Sequence, residues 1–133
     1  MIVVDSNVLA YLLIDGAQTD AARRTLARDP EWAAPTLWRS ELRNVFATYL
    51  RRRLLPLADV VALQAEAETR MTGREYGVES ARVLALAEQS GRTAYDCEFV
   101  AVAQALGVPL VTSDRQLLAS FPAVAVALGD FGA

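Results

Sequence analysis

The chain opens Met1-Ile2-Val3-Val4-Asp5-Ser6-Asn7-Val8-Leu9. Three β-branched apolar residues run into a carboxylate, and a helix-like pattern starts at once. A short unbroken run of this kind suits a strand buried on both faces, as in a parallel sheet. Asp5 then falls where the carboxyl end of that strand opens, the edge at which ligands bind in open α/β sheets. It has a plainer use as a turn residue, with Ser6 or Asn7 capping the helix that follows. The number of similar acids elsewhere in the chain weighs between the two.

A second stretch repeats the pattern: Leu110-Val111-Thr112-Ser113-Asp114. Parallel strands end at the same edge of a sheet. If these two are neighbours, Asp5 and Asp114 open into one crevice, at the point where crossovers leave in opposite directions. Two further acids sit near helix starts in line with apolar residues. Asp96 is followed at i+3, i+4 and i+7 by Phe99, Val100 and Ala103, and Glu41 aligns with Leu37, Trp38 and Val45. A carboxylate on an apolar stripe is expensive to bury without a partner. Each can also be an N-terminal acid favoured by its helix dipole, or, for Glu41, the partner of a buried arginine. Glu98, two positions from Asp96, points elsewhere around the helix and is at most an outer ligand. Glu66, Glu68, Glu75 and Glu88 read as solvated, and Asp15, Asp29 and Asp130 as turn residues.

Between these stretches, strands alternate with helices. Helices are expected over about 18–28, 36–53, 56–71, 79–89, 94–106 and 115–120. Thr36 reads as an N-cap and Gly107 as a C-cap. Tyr95, Phe99, Val102, Ala103 and Leu106 form one packed side of the 94–106 helix. Strands are expected at Trp32-Ala33-Ala34, Tyr76-Gly77-Val78, Pro109-Leu110-Val111 and Val124-Ala125-Val126. No repeat or linker interrupts the pattern, so residues 1–133 read as one α/β domain with a mainly parallel sheet.

Composition narrows the chemistry. The chain holds 133 residues, enough for one domain with a proper core. It has no histidine and no lysine, and all thirteen basic residues are arginine. Serine–histidine and cysteine–histidine mechanisms, histidine metal sites, Schiff bases and the Walker A lysine are therefore excluded. One cysteine, Cys97, can form neither an internal disulfide nor a thiolate zinc site, and a reducing cytoplasm is the simplest setting. No run reaches membrane-span length and no signal peptide is visible. The net charge of −3 argues against wrapping nucleic acid on a basic surface. Clustered site acids still allow a nuclease, because bound cations reverse the local field. The 53% hydrophobic content is high for this size and implies surface buried against a partner.

Carboxylates converging without histidine or lysine repel one another unless a cation neutralises them. Oxygen-only sites of high charge suit Mg²⁺ or Mn²⁺. Such a site orients a phosphate and activates water, which is the chemistry of phosphodiester hydrolysis.

Taken together, these stretches resemble the PIN-domain ribonucleases, and among them the VapC-type toxins of toxin–antitoxin pairs. The carriers are Val4-Asp5-Ser6-Asn7-Val8-Leu9, Ser40-Glu41-Leu42, the run from Ala94 to Ala103, and Leu110-Val111-Thr112-Ser113-Asp114-Arg115. The resemblance implies a three-layer α/β/α sandwich around a five-stranded, mainly parallel sheet. It matches Asp5, Glu41, Asp96 and Asp114 to the family's Mg²⁺- or Mn²⁺-binding acids, and Asn7 and Thr112 to its supporting polar positions. It implies an RNA substrate, a VapB-like antitoxin and a homodimer. Among the arginines, Arg43, Arg51 to Arg53, Arg92 and Arg115 are candidates to lie near the mouth. Two other readings compete: a PIN-like module that binds RNA or a partner without cutting, and a phospho-acceptor receiver domain. Receivers use a lysine that this chain lacks.

Overall fold

The computed structural model describes residues 1–133. Five parallel strands lie in the order β3-β2-β1-β4-β5. They are β1 (Ile2–Val4), β2 (Trp32–Pro35), β3 (Glu75–Tyr76), β4 (Leu110–Thr112) and β5 (Ala125–Ala127). The strand made first thus sits in the middle. Ile2, Val3 and Val4 are buried, as the unbroken β-branched run requires. The register pairs Val4 with Val111, and the Asp5 N–H donates to the Val111 carbonyl at 3.1 Å. The expected neighbourhood of the two acid-ended strands holds, with the switch point between β1 and β4.

The helices are α1 (Ser6–Leu13), α2 (Thr19–Arg28), α3 (Trp38–Arg51), α4 (Leu57–Arg70), α5 (Ser80–Ser90), α6 (Ala94–Leu106), α7 (Arg115–Ser120) and α8 (Leu128–Phe131). Helices α1 to α4 pack on one another, and α5 pairs with α6, which lies on β1, β2 and β4. The result is the three-layer sandwich. Its core runs through Val8, Leu9, Trp38, Leu42, Phe46, Met71, Val100, Val111 and Leu117. Cys97 is a free, buried thiol within it. No helix is long and apolar enough to cross a membrane.

Several local expectations shift. Thr36 does not cap α3. Its N–H donates to the Tyr76 carbonyl at 3.3 Å, which prolongs the β2–β3 ladder, and α3 starts after Leu37 with no side-chain cap. Strand β3 is Glu75–Tyr76, one residue earlier than expected and only two long. The C-terminal tail after β5 is a short helix, with Arg28 of α2 stacked 4.6 Å from the Phe131 ring centre. Tyr95 is not packed beside Phe99 but stands 62% exposed, one residue before Asp96.

Nor are all the bland acids solvated. Glu75 accepts from Arg39 Nε at 2.6 Å and from the indole of the buried Trp38 at 2.7 Å. Arg39 also donates to Glu68 at 2.9 Å, so one guanidinium ties α3 to α4 and β3. Asp29 holds the N-terminal ammonium at 2.7 Å, which fixes the entry to β1.

Candidate functional site

Helices α1 and α3 begin where β1 and β2 end, and α6 starts at the same edge because it leads back into β4. Four carboxylates therefore reach the carboxyl edge of the sheet from four separate segments. Asp5 ends β1, Glu41 lies in the first turn of α3, Asp96 in the first turn of α6, and Asp114 follows β4.

Asp5 is the hinge of this group. Its Oδ2 accepts the Thr112 hydroxyl at 2.8 Å, as expected of a residue beside Thr112 in the register. Burial raises its pKa above 3.8, and the charges of Asp96 and Asp114 raise it further, against the pull of the Thr112 hydroxyl. Burial raises Glu41 above 4.5 as well, with Asp5, Asp96 and Glu98 adding to it. Asp96 is raised by burial and then by Asp114. Asp5 and Asp96 thus feel the charge of Asp114, and Glu41 feels those of Asp5 and Asp96. The four carboxylates that the sequence singled out share one edge of the sheet.

The supporting groups are unequal. Thr112 is buried and does two things: it donates to Asp5 and accepts the Asp114 N–H at 3.0 Å. Asn7 is exposed and lines a cleft of about 360 Å³ with Asp5, Ser6, Leu37, Glu41 and Tyr95. Asp114 spends one oxygen on capping α7, accepting from the N–H groups of Gln116 at 2.8 Å and Leu117 at 3.2 Å. Asp96 is set by Thr93, whose hydroxyl accepts the Asp96 N–H at 3.1 Å and caps α6.

Ser6, with Asn7 expected as a cap or a polar shoulder beside the acids, has a partner that was not foreseen. Ser6 is buried, and its hydroxyl donates to Glu41 Oε1 at 2.8 Å. It is not a helix cap; Asp5 occupies the N-cap position of α1 without a side-chain cap bond. The available signal was a serine directly after the strand-end acid, on the first turn of a helix that must pack against another. Glu98 is partly buried, and its charge is the smallest of those that raise Glu41.

No three of these acids are drawn in tightly enough to enclose a single point as the side chains stand. Mutual repulsion opposes closer approach. The donor set is nonetheless all hard oxygen, strongly negative, and without a paired cation. Donors of this chemistry suit a hard divalent cation.

Comparison with known proteins agrees with the architecture. Residues 2–124 match the family model described as the PIN domain. The chain belongs to the PIN-domain family. It is similar to a protein named Ribonuclease VapC3 from Pyrobaculum aerophilum, with 29% identity over 126 residues, covering 92% of this chain and 96% of that one. It shares its fold with the crystal structure of PAE2754 from the same organism, at a TM-score of 0.72 and 23% identity, over 98% of this chain and 92% of the other.

Proposed function

We propose that this chain is a divalent-metal-dependent endoribonuclease of the toxin type, restrained by a VapB-like antitoxin. The observation that carries the catalytic half is the placement of Asp5, Glu41, Asp96 and Asp114, from four separate segments, at the carboxyl edge of the sheet. PIN-domain membership and the similarity to a protein named a ribonuclease support RNA as substrate. The toxin role, the antitoxin and a homodimeric state rest on the resemblance to VapC-type proteins. The exposed Leu54, Leu57, Val61 and Leu84 supply apolar surface consistent with partners. A cytoplasmic setting fits the single buried thiol.

In this proposal Asp5, Glu41, Asp96 and Asp114 hold Mg²⁺ or Mn²⁺. Bound there, the metal would supply Lewis-acid polarisation of the scissile phosphate and a lowered pKa for an attacking water. The chain's own residues do the rest. Thr112 and Ser6 fix the orientation of the Asp5 and Glu41 carboxylates by hydroxyl donation. Enclosure of Asp5 keeps bulk water from screening the charges that act on the substrate. Tyr95, exposed on the cleft wall, offers an aromatic face on which an unpaired base can stack.

The test is cleavage of total RNA by the purified chain, with 5′-end mapping. Cleavage is expected with Mg²⁺ or Mn²⁺, and it should vanish with EDTA and in Asp5→Asn and Asp96→Asn. Cleavage that survives both treatments would overturn the mechanism. Metal-independent RNA binding without cleavage by the wild type would favour the non-catalytic module.

A further inference from the structure

A phosphodiester backbone must approach four carboxylates to reach this site, and some cation has to receive it. Several of the thirteen arginines are committed or distant. Arg39 is held by Glu68 and Glu75, Arg23 by Asp15, and Arg70 by Glu66. Arg51 to Arg53 lie ten or more residues along from Glu41, about 15 Å at the helical rise.

Arg92 differs in three respects. It leaves the left-handed turn at Gly91 (φ 71°), and its backbone N–H is tied to Ser90 Oγ at 3.1 Å, so its origin is fixed beside the start of α6. Its backbone lies four positions before Asp96 and its side chain reaches Gln116, two positions past Asp114, so it spans the two segments that carry those acids. And it pairs with no carboxylate. Its Nη1 donates instead to the neutral amide oxygen of Gln116, across on α7, while its Nε–H is shut from solvent without an acceptor. A guanidinium in this state is under-satisfied. A phosphate is a stronger acceptor than an amide, and the Nε–H and Nη2–H edge matches two of its oxygens. Turning off Gln116 toward a phosphate costs one neutral hydrogen bond and relieves the stranded Nε–H.

We infer that Arg92 grips the RNA backbone at the phosphate adjoining the scissile one, exchanging Gln116 for that phosphate when RNA enters. The inference rests on the nuclease reading and names the residue that positions its substrate.

The experiment uses the full chain carrying Asp5→Asn, which on the nuclease reading is expected to hold RNA without cutting it. Binding of a fluorescein-labelled single-stranded RNA of mixed sequence is followed by anisotropy from 50 to 300 mM NaCl. Arg92→Ala is expected to weaken binding about 10-fold, the scale of a lost charge-assisted contact. It should also reduce the slope of log affinity against log salt by about 0.7, one phosphate contact on a single strand. Arg92→Lys should keep the slope but recover only part of the affinity, because the charge remains and the fork is lost. Arg92→Gln, measured beside Arg92→Ala, guards against a folding artefact. Arg70→Ala, paired with Glu66 far along α4, should change neither quantity. Binding by the parent with an unchanged slope in Arg92→Ala and Arg92→Gln would overturn the inference and leave the nuclease reading intact. An equal loss in Arg70→Ala would also overturn it, as a general charge effect. No RNA binding by the parent at any salt, together with no cleavage by the wild type, would remove both.

Discussion

The Ser6 hydroxyl donates to Glu41 Oε1 at 2.8 Å, joining the first turn of α1 to the first turn of α3 across 35 positions of sequence. One atom thereby sets the direction of the acid on the second helix. Ser6→Ala is expected to lower Mn²⁺ affinity and cleavage about 10- to 100-fold, the usual cost of losing a group that orients a ligand. Titration calorimetry with Mn²⁺ and end-labelled RNA cleavage read the two effects. Undiminished metal binding in Ser6→Ala would remove Glu41 from the ligand set.

Thr112 presents a sharper case, because valine keeps its shape. Thr112→Val removes the donor to Asp5 and the acceptor for the Asp114 N–H in one substitution. Activity should fall at least as far as in Ser6→Ala, while Thr112→Ser should retain most of it. Equal activity in Val and Ser variants would show that the hydroxyl does not orient the acids.

The stability of the metal-free chain should depend on pH in an unusual direction. Burial and neighbouring charges raise Asp5, Glu41 and Asp96 above their ordinary values, so the folded state takes up protons more readily than the unfolded one. Stability then increases as pH falls from 7 through these raised values toward 3.8 and 4.5. Glu75, held low by Arg39, opposes this. Asp29 does too: burial pushes it up, but the N-terminal ammonium and the Glu31 N–H outweigh that and hold it low. Their stabilisation is lost as pH falls through the lowered values. In EDTA, a melting temperature that climbs on mild acidification and drops below about pH 4 is expected. Asp5→Asn should melt higher than wild type at pH 7 and climb less. A melting temperature that only falls on acidification would contradict the electrostatic picture.

Away from the site, Glu75→Ala should destabilise the chain by about 1–3 kcal/mol, because it strands the indole N–H of the buried Trp38. Urea unfolding measures this. Glu88→Ala, on an exposed position of α5, should stay within about 0.5 kcal/mol of wild type.

What could be read from the sequence follows from how local each signal is. Asp5 and Asp114 announced themselves because a parallel sheet sends like-ended strands to one edge, and β1 pairing with β4 completed that inference. The end of α6 came from Gly107, whose left-handed turn acts on its own neighbours, whereas the Thr93 cap at its start was not read. Ser6 facing Glu41 depends on how α1 and α3 cross, which no single segment encodes. Glu75 looked like a solvated acid because its two partners, Trp38 and Arg39, belong to another element. Strand β3 was misplaced by one residue because two residues hold no alternation to read. Tyr95 fell on an apolar stripe by spacing, yet in the first turn of α6 it has no layer over it and stands exposed.

The strand order has a consequence for the chain as it is being made. β1 emerges first, but one of its flanking strands, β4, spans Leu110–Thr112, more than a hundred residues later. Until that strand docks, Asp5 lacks its hydroxyl partner and Asp114 is not beside it. A growing chain that has not yet reached β4 therefore holds fragments of an acidic cluster and no complete one, so the cluster assembles only once the sheet closes around β1.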